Sequence, residues 1–210
     1  QAVKVLKAIA MEFNHIFTFQ KALVGSSAID KTGSPLPEET ISICKKADAV
    51  LFGAIGDTKY DEDPDAKIRP EQGLLGIRKE LDLYTNIRPI IAYEDLLSKS
   101  SLKIKQIKDT NILIYRELTG GIYFGKRHLS KDGNTASDTC EYNRFEIERI
   151  AHLAFKAAQS RKRKLTLVDK ANVLESSRLW RRIVKELAPQ YPNVRVNYMY
   201  IDNAAMELII

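Results

Sequence analysis

Two hydrophobic periods alternate along this chain, and that alternation limits the folds open to it more than any other feature. Apolar runs at residues 49–52 and 165–168 predict strands, and the first, which is continuous, is typical of a strand that is buried on both faces. Between such runs, apolar residues recur at the spacing of one helix face, for example at 147–158 and 179–187. Strands that alternate with helices over short links favour an α/β protein with largely parallel strands, and we predict that class.

Capping residues and apolar spacing predict further helices and strands. Asn143 and Glu146 together predict a capping box at the start of the helix that contains 147–158. Asp202 stands where a helix after the last predicted strand would be capped. The other predicted helices lie at 3–11, 37–46 and 74–83, and the other predicted strands at 17–19, 112–115 and 194–200.

The charge of the chain allows two interpretations. It carries 33 lysines and arginines against 27 aspartates and glutamates, a net charge of +6. The basic run at 161–164 could bind nucleic acid, but it lies between a predicted helix and a predicted strand, where a charged loop is usually only solvated. Arginines that bind an anionic small substrate explain the surplus better, so we predict no nucleic-acid partner.

Composition also bounds the environment of the protein. No apolar run approaches the ~18–20 residues that a membrane span requires, so no membrane partner is expected. Residues 1–6 show neither the apolar core nor the cleavage site of a secretory signal. Cys44 and Cys140 are too few for a disulfide framework, and we expect a cytoplasmic location.

Chemically useful residues follow the predicted strands. Residues 53–56 follow one strand, Arg116 a second, Asp169 with Lys170 a third, and Asp202 a fourth. Any one of them could be an ordinary turn or cap residue. Ligands of open parallel sheets gather beyond the carboxyl ends of the strands, however, and four such positions together predict a ligand site there.

Three arginines suggest the charge of that ligand. A guanidinium binds a carboxylate through two parallel hydrogen bonds, which a lysine cannot reproduce. Arg78, Arg88 and Arg116 could therefore bind a substrate with two carboxylates. Surface salt bridges to Glu80 or Glu117 are the alternative that these residues alone leave open.

Three segments resemble successive motifs of the isopropylmalate/isocitrate dehydrogenase family. They are residues 74–89, the run Arg-Glu-Leu-Thr-Gly-Gly-Ile-Tyr-Phe-Gly at 116–125, and Val-Asp-Lys-Ala-Asn-Val-Leu at 168–174. The ten-residue run is highly specific, and the similarity extends over essentially all 210 residues. The resemblance implies that family's fold, an α/β architecture with parallel and mixed sheets in two domains.

The resemblance also implies a domain plan. Residues 1–83 would form part of a first, NAD-binding domain, which is incomplete here, and 84–210 a second domain for substrate binding and dimerisation. An intersubunit arm would lie at about 119–140. The family's first strand, its glycine-rich turn, two metal-binding aspartates and the segment that binds adenosine have no counterpart in the chain. We expect this 210-residue chain, on its own, to be inactive.

Roles in catalysis follow from the matching positions. Arg78, Arg88 and Arg116 would bind the substrate carboxylates. Tyr123 matches the tyrosine that protonates the enol after CO₂ leaves, and Lys170 the lysine that helps to deprotonate the substrate hydroxyl. Asp202 matches the first of three aspartates that bind Mg²⁺ or Mn²⁺ and contact substrate. Family dimers bring this lysine and aspartate into the partner subunit's site, which implies a homodimer.

The cofactor implied by the resemblance is NAD. The loop at 56–71 matches a segment that lines the NAD site, and Asn172 would lie near the nicotinamide. The positions in that loop expected to bind cofactor are Gly56, Asp57, Lys59, Ile68, Pro70 and Glu71.

Leu74 and Leu75 indicate which substrate the family fold would take. Isocitrate dehydrogenases have a serine and an asparagine here for a third carboxylate, whereas an apolar pair fits an isopropyl group. The expected reaction is NAD-dependent oxidative decarboxylation of 3-isopropylmalate to 4-methyl-2-oxopentanoate and CO₂, in leucine biosynthesis. A relative acting on tartrate or methylmalate-like acids remains open, because an apolar pocket discriminates one methylene by only ~1–3 kcal/mol.

Overall fold

The structure is a computed structural model that describes residues 1–62 and 66–209. The chain divides into two compact units, residues 1–81 and 82–210.

The first unit is helical in its described part. Its helices are α1 (Ala2–Phe13), α2 (Ser26–Thr32), α3 (Glu38–Lys46) and α4 (Pro70–Glu80), with a short 3-10 helix at Thr58–Tyr60. Gly73 of α4 lies so close to the Pro35 carbonyl that a Cβ there would clash with it. Thr40 of α3 is buried and donates a 2.6 Å hydrogen bond to the Leu23 carbonyl. These contacts hold the connecting segments against α3 and α4.

Three predictions for this unit were wrong. Residues 17–19 and 49–52 are not strands, and Leu51 is 56% exposed. A strand needs a neighbour for its N–H and C=O groups, and the described part of this unit contains no other strand. Helix α4 ends at Glu80 rather than at 83, because Asp82 takes a positive φ of 49° that a right-handed helix cannot continue.

The second unit contains all six strands of the described residues. Its strands are β1 (Thr85–Ile91), β2 (Asn111–Glu117), β3 (Arg127–Leu129), β4 (Ala136–Asp138), β5 (Lys164–Asp169) and β6 (Arg195–Tyr200). Its helices are α5 (Ile104–Ile107), α6 (Arg144–Gln159), α7 (Glu175–Leu187) and α8 (Ile201–Glu207), with 3-10 helices at Glu94–Lys99 and Ala188–Gln190.

Those strands form three pairs of mixed direction. β5 and β6 are parallel, as expected for strands joined through a helix, whereas β1–β2 and β3–β4 are antiparallel. The prediction of largely parallel strands was therefore too narrow, and the mixed architecture is the correct description. Strand β1 was not predicted, because Pro89 lies within it and lacks the N–H of a regular strand residue.

The core of the second unit lies where α6 and α7 pack on β5 and β6. Ile147, Phe155 and Ile183 are completely buried there, and Phe155 stacks on Tyr191 with ring centroids 4.5 Å apart. Burial of each such side chain contributes roughly 1.5–3 kcal/mol. The predicted capping box is present: Asn143 Oδ1 accepts from the Glu146 N–H at 3.0 Å, and Glu146 Oε2 accepts from the Asn143 N–H at 2.9 Å.

Candidate functional site

Two of the three predicted substrate arginines share one face of the β1–β2 pair. Arg116 lies opposite Asn86, and Arg88 lies opposite Ile114. Directly opposite residues of an antiparallel pair point to the same side, and so do residues two apart on one strand. Arg88 and Arg116 are therefore diagonal neighbours on one side of the pair. Both are exposed, so their guanidinium groups can reach an anion in solvent.

Tyr123 lies beside one of these arginines. The guanidinium carbon of Arg116 is 5.5 Å from the centre of the Tyr123 ring, within the range of a cation–π contact. Tyr123 is 49% exposed and belongs to a turn in which the N–H groups of Phe124 and Gly125 donate to the Gly121 carbonyl. The fold thus brings a predicted proton donor next to a predicted carboxylate-binding residue.

The turn before Tyr123 is held from two sides. Gly121 has a φ of +78°, and a Cβ there would clash with the hydroxyl of Tyr142. Burial raises the pKa of the Tyr142 phenol to about 12, so it stays neutral at ordinary pH. Arg127 donates a 2.8 Å hydrogen bond to the Tyr123 carbonyl.

Lys170 and Asp202 meet at the carboxyl ends of the parallel pair. Lys170 follows β5 and Asp202 follows β6 by two residues, and Lys170 Nζ lies 2.5 Å from Asp202 Oδ1. This ammonium holds the pKa of the Asp202 carboxyl below its usual value. Asp202 lies in the first turn of α8 but does not cap it, because Tyr200 is the N-cap residue. Asn172 is exposed in the turn after Lys170.

Asp169, the neighbour of Lys170, has a different set of contacts. Its side chain is 3% exposed and accepts two hydrogen bonds from Arg181, at 2.8 and 2.7 Å. Its Oδ1 also accepts from the Ala171 N–H at 3.0 Å. The Arg181 guanidinium lies 4.9 Å from the centre of the Tyr200 ring. This buried pair fixes the end of β5 and the turn that carries Lys170.

The remaining predicted substrate residues lie in the first unit, on α4. Leu74 and Arg78 are one helical turn apart and therefore lie on the same side of the helix, with Leu75 beside them. All three are partly buried. An aliphatic surface and a guanidinium thus lie side by side along α4.

The predicted cofactor loop is partly described, since residues 63–65 lie outside the described residues. Asp57 caps the 3-10 helix by accepting from the Lys59 N–H at 3.2 Å. A Cβ on Gly56 would lie 3.5 Å from Glu71 Oε1, so the two ends of the loop lie near each other. Pro70 is fully buried, whereas Ile68 is 44% exposed.

One contact in that loop had no signal in the sequence. Lys59 Nζ donates to both carboxylate oxygens of Asp30, at 2.8 and 2.7 Å, and the Tyr60 hydroxyl donates to Asp30 at 2.7 Å. Asp30 lies on α2, 29 residues from Lys59 along the chain. Asp30 thus holds the loop against α2 and restricts the conformations of the Lys59 side chain.

A divalent metal would find one suitable donor here. Asp202 offers hard carboxylate oxygens of the kind that Mg²⁺ and Mn²⁺ prefer, and its side chain is 66% exposed. Among the described residues, no three His, Cys, Asp or Glu side chains are close enough together to hold a metal ion. Asp202 therefore fits as one ligand of a divalent metal ion.

The whole chain, residues 1–210, matches the family model "Isocitrate/isopropylmalate dehydrogenase". The protein belongs to that family. It is 52% identical over 209 residues to a 3-isopropylmalate dehydrogenase of Bacteroides fragilis, which covers all of this chain and 59% of that protein. It is 51% identical over 212 residues to the 3-isopropylmalate dehydrogenase of Bacillus subtilis, covering 99% of this chain and 58% of that protein. The chain thus spans less than two thirds of the length of these relatives.

Solved structures confirm the predicted fold. The isocitrate dehydrogenase of Methylococcus capsulatus superposes with a TM-score of 0.74 at 25% identity, over 97% of this chain and 57% of that one. A beta-decarboxylating dehydrogenase of Thermococcus kodakarensis superposes with a TM-score of 0.68 at 32% identity, over 99% of this chain and 55% of that one. Cys44 and Cys140 are free thiols, and no helix among the described residues is long and apolar enough to cross a membrane.

Proposed function

We propose that the protein carrying this chain is an NAD-dependent dehydrogenase that oxidises and decarboxylates 3-isopropylmalate, giving 4-methyl-2-oxopentanoate and CO₂ in leucine biosynthesis. The observation that carries the proposal is the placement of Arg88, Arg116 and Tyr123 in the second unit. Two guanidinium groups share one face, and a phenol lies against one of them. The names of the similar proteins support this assignment.

The carboxylates of the substrate are assigned to arginines, and its isopropyl group to leucines. Arg88 and Arg116 bind a carboxylate on the exposed face of β1–β2, and Arg78 binds the second carboxylate. Leu74 and Leu75 contact the isopropyl group. The same leucines would leave a third carboxylate unpaired, which costs several kcal/mol in a buried site, on the order of the penalty for an unpaired charge. Isopropylmalate is therefore favoured over isocitrate.

Proton transfers are assigned to two side chains of the second unit. The Lys170 amine accepts the proton of the substrate hydroxyl, and the Tyr123 hydroxyl returns a proton to carbon once CO₂ has left. Lys170 acts as this base in its neutral form, released from its ion pair with Asp202, and the Asp202 carboxylate would be a ligand of the metal. When bound, NAD⁺ supplies the hydride acceptor, and Mg²⁺ or Mn²⁺ supplies the Lewis acidity that stabilises negative charge on the ketone oxygen.

The cofactor and the assembly complete the proposal. NAD contacts are assigned to the loop from Gly56 to Glu71 and to Asn172, and residues 1–83 are assigned to the cofactor-binding domain. Residues 84–210 form the substrate and dimerisation domain. The protein acts as a cytoplasmic homodimer in which the arm at 119–140, built around the β3–β4 hairpin, contacts the partner. Lys170 and Asp202 serve the partner subunit's site.

A rate assay tests the function directly. The full-length protein should reduce NAD⁺ with isopropylmalate and Mg²⁺ and should be far slower with isocitrate. Lys170→Ala and Tyr123→Phe should each lower kcat by roughly 10²- to 10⁴-fold, the range for the loss of a general acid or base. Activity confined to isocitrate, or full activity in both variants, would contradict the proposal.

The alternative of nucleic-acid binding is less well supported. Arg161, the first residue of the basic run, is engaged within the protein, because its Nη2 donates to the Asn111 carbonyl and to Asn111 Oδ1 at 3.1 and 2.6 Å. Salt-sensitive retention on DNA, with no loss of any activity in Lys170→Ala, would favour that alternative instead.

A further inference from the structure

A buried ion pair joins Glu117, the residue after Arg116, to Arg149. Glu117 is the last residue of β2, and Arg149 lies on α6. Arg149 Nη2 donates to Glu117 Oε1 at 2.7 Å, and the two side chains are 1% and 13% exposed. A charged pair this deeply buried gains little stability over an apolar pair of the same size, so stability alone does not explain its presence.

Glu117 collects donors from the turn that follows it. Its Oε2 accepts from the N–H groups of Thr119 and Gly120, at 2.8 and 2.6 Å, and its Oε1 accepts from the Thr119 hydroxyl at 3.0 Å. With Arg149, four donors converge on one carboxylate. Charge-assisted hydrogen bonds of this kind are shorter and stronger than neutral ones, so the carboxylate fixes the backbone of the turn.

Arg149 ties the same turn to the start of β1. Its guanidinium lies 4.3 Å from the centre of the Tyr84 ring, and it also donates to the Thr119 hydroxyl. The Leu118 N–H donates to the Tyr84 carbonyl at 2.8 Å. The helix α6, the start of β1 and the end of β2 are thus joined at one buried point.

The turn leads from this point to Tyr123. Gly121 follows the two fixed residues, and its carbonyl accepts the hydrogen bonds that close the turn around Tyr123. Arg116 directly precedes Glu117 in β2, so the two side chains point to opposite faces of the strand, Arg116 to the exposed face and Glu117 to the buried one. Any shift of Glu117 would therefore change the separation of Arg116 from Tyr123.

We propose that Glu117 and Arg149 are positioning residues that set Tyr123 against Arg116 for proton transfer. This inference rests on the proposed function. Both side chains are buried, and they act through the backbone of Thr119, Gly120 and Gly121. A displacement of about 1 Å at a reacting group can lower the rate about 10²-fold, so a small movement of the turn suffices.

The Glu117→Gln variant, made in the full-length protein, tests the inference. A glutamine directs an NH₂ donor at a point where only donors converge, so the turn must move. In the parent background, kcat should fall roughly 10- to 100-fold, with KM for NAD⁺ little changed. In a Tyr123→Phe background the same change should cost less than about threefold, because the group that it positions is already lost. Equal losses in both backgrounds would overturn the inference.

Two further variants keep the test decisive. Thr119→Val preserves the side-chain shape but removes the hydroxyl shared by Glu117 and Arg149, and it should show the same non-additivity if Glu117→Gln fails to fold. The control is Glu186→Gln, which breaks an exposed ion pair to Arg144 on the same unit and should leave kcat unchanged in both backgrounds.

A readout without turnover separates this inference from the proposed function. In protein with ¹³C-labelled tyrosine rings, the Tyr123 signal is identified by its loss in Tyr123→Phe. Glu117→Gln should shift that signal and leave the Tyr60 signal in place. An unmoved Tyr123 signal would overturn the positioning role even in an active enzyme. A shifted signal in a protein that does not turn over isopropylmalate would uphold the positioning of Tyr123 and refute only the proposed function.

Discussion

The Lys170 ammonium lies 2.5 Å from Asp202 Oδ1, where two parallel strands end side by side. This contact lowers the pKa of the Asp202 carboxyl, so the pair stabilises the fold at neutral pH and loses that contribution as the pH falls through the lowered pKa. In Lys170→Ala, the pKa of Asp202 should rise toward its ordinary value. Carboxyl ¹³C titration by NMR measures the change, with Lys164→Ala as a control at the other end of β5. An unchanged Asp202 titration would refute the pairing in solution.

Arg116→Lys should raise KM for isopropylmalate although the charge is kept. A lysine cannot form the two parallel bonds of a guanidinium, and the loss of one charge-assisted hydrogen bond, about 1.5–3 kcal/mol, corresponds to roughly a 10- to 100-fold weaker interaction. Steady-state kinetics measure the effect. Arg195→Lys, an exposed arginine at the start of β6, is the matched control and should behave as the parent. A parental KM in Arg116→Lys would argue against carboxylate binding at this position.

Gly121→Ala should destabilise the protein more than Gly133→Ala. Both glycines have positive φ, +78° and +71°, so both variants incur the left-handed backbone penalty of roughly 1–2 kcal/mol. Only at Gly121 would the new Cβ also meet the Tyr142 hydroxyl, whereas no atom lies within 4 Å of a Cβ at Gly133. Urea unfolding of the two variants should therefore differ by more than 1 kcal/mol, on the order of an overpacking penalty. Equal losses would show that Tyr142 moves aside freely.

Stability at alkaline pH should depend on Tyr142. Burial raises the pKa of its phenol to about 12, above the value of about 10 in an unfolded chain. Between these values the unfolded state releases the proton and the folded state keeps it, so the free energy of unfolding falls as the pH rises through that range. Tyr142→Phe should show a shallower fall in unfolding titrations between pH values of about 9 and 12. Identical pH dependence in the two proteins would contradict the burial of this phenol.

Asp30→Asn should weaken NAD⁺ binding through the loop at 57–62. The carboxylate of Asp30 accepts hydrogen bonds from both Lys59 and Tyr60, and an asparagine accepts fewer and carries no charge. KM for NAD⁺ should rise several-fold, on the order of one charge-assisted hydrogen bond, while KM for isopropylmalate stays the same. Glu80→Gln breaks a comparable exposed pair with Lys45 and serves as the control. A loss equal for both substrates would indicate a general effect on folding.

Elements with local signals were predicted well. The capping box of Asn143 and Glu146 fixes the start of α6 within a few residues of sequence, and the apolar stripe that follows is buried as expected. β5 and β6 were also predicted, and Lys170 and Asp202 meet at their carboxyl ends as expected for paired parallel strands. The other two positions of that prediction were wrong, because residues 53–56 follow no strand and Arg116 lies within β2, which is antiparallel to β1.

Elements that depend on distant partners were predicted poorly. The apolar run at 49–52 has the composition of a buried strand, but a strand exists only through its neighbours, and none is present in the described part of the first unit. β1 forms despite Pro89 because its pairing with β2, a strand distant in the sequence, outweighs the low strand propensity of proline. The Glu117–Arg149 pair joins residues 32 apart, a distance at which no sequence spacing reports contact.

The adjacent residues Asp169 and Lys170 have opposite surroundings, which restricts changes in the length of β5. Asp169 is enclosed with Arg181, while Lys170 reaches outward to Asp202. Deleting one codon within β5 would place the ammonium of Lys170 in the enclosed pocket, and inserting one would place the carboxylate of Asp169 beside Asp202. Length changes in this stretch should be eliminated by selection even where substitutions at its exposed positions are accepted.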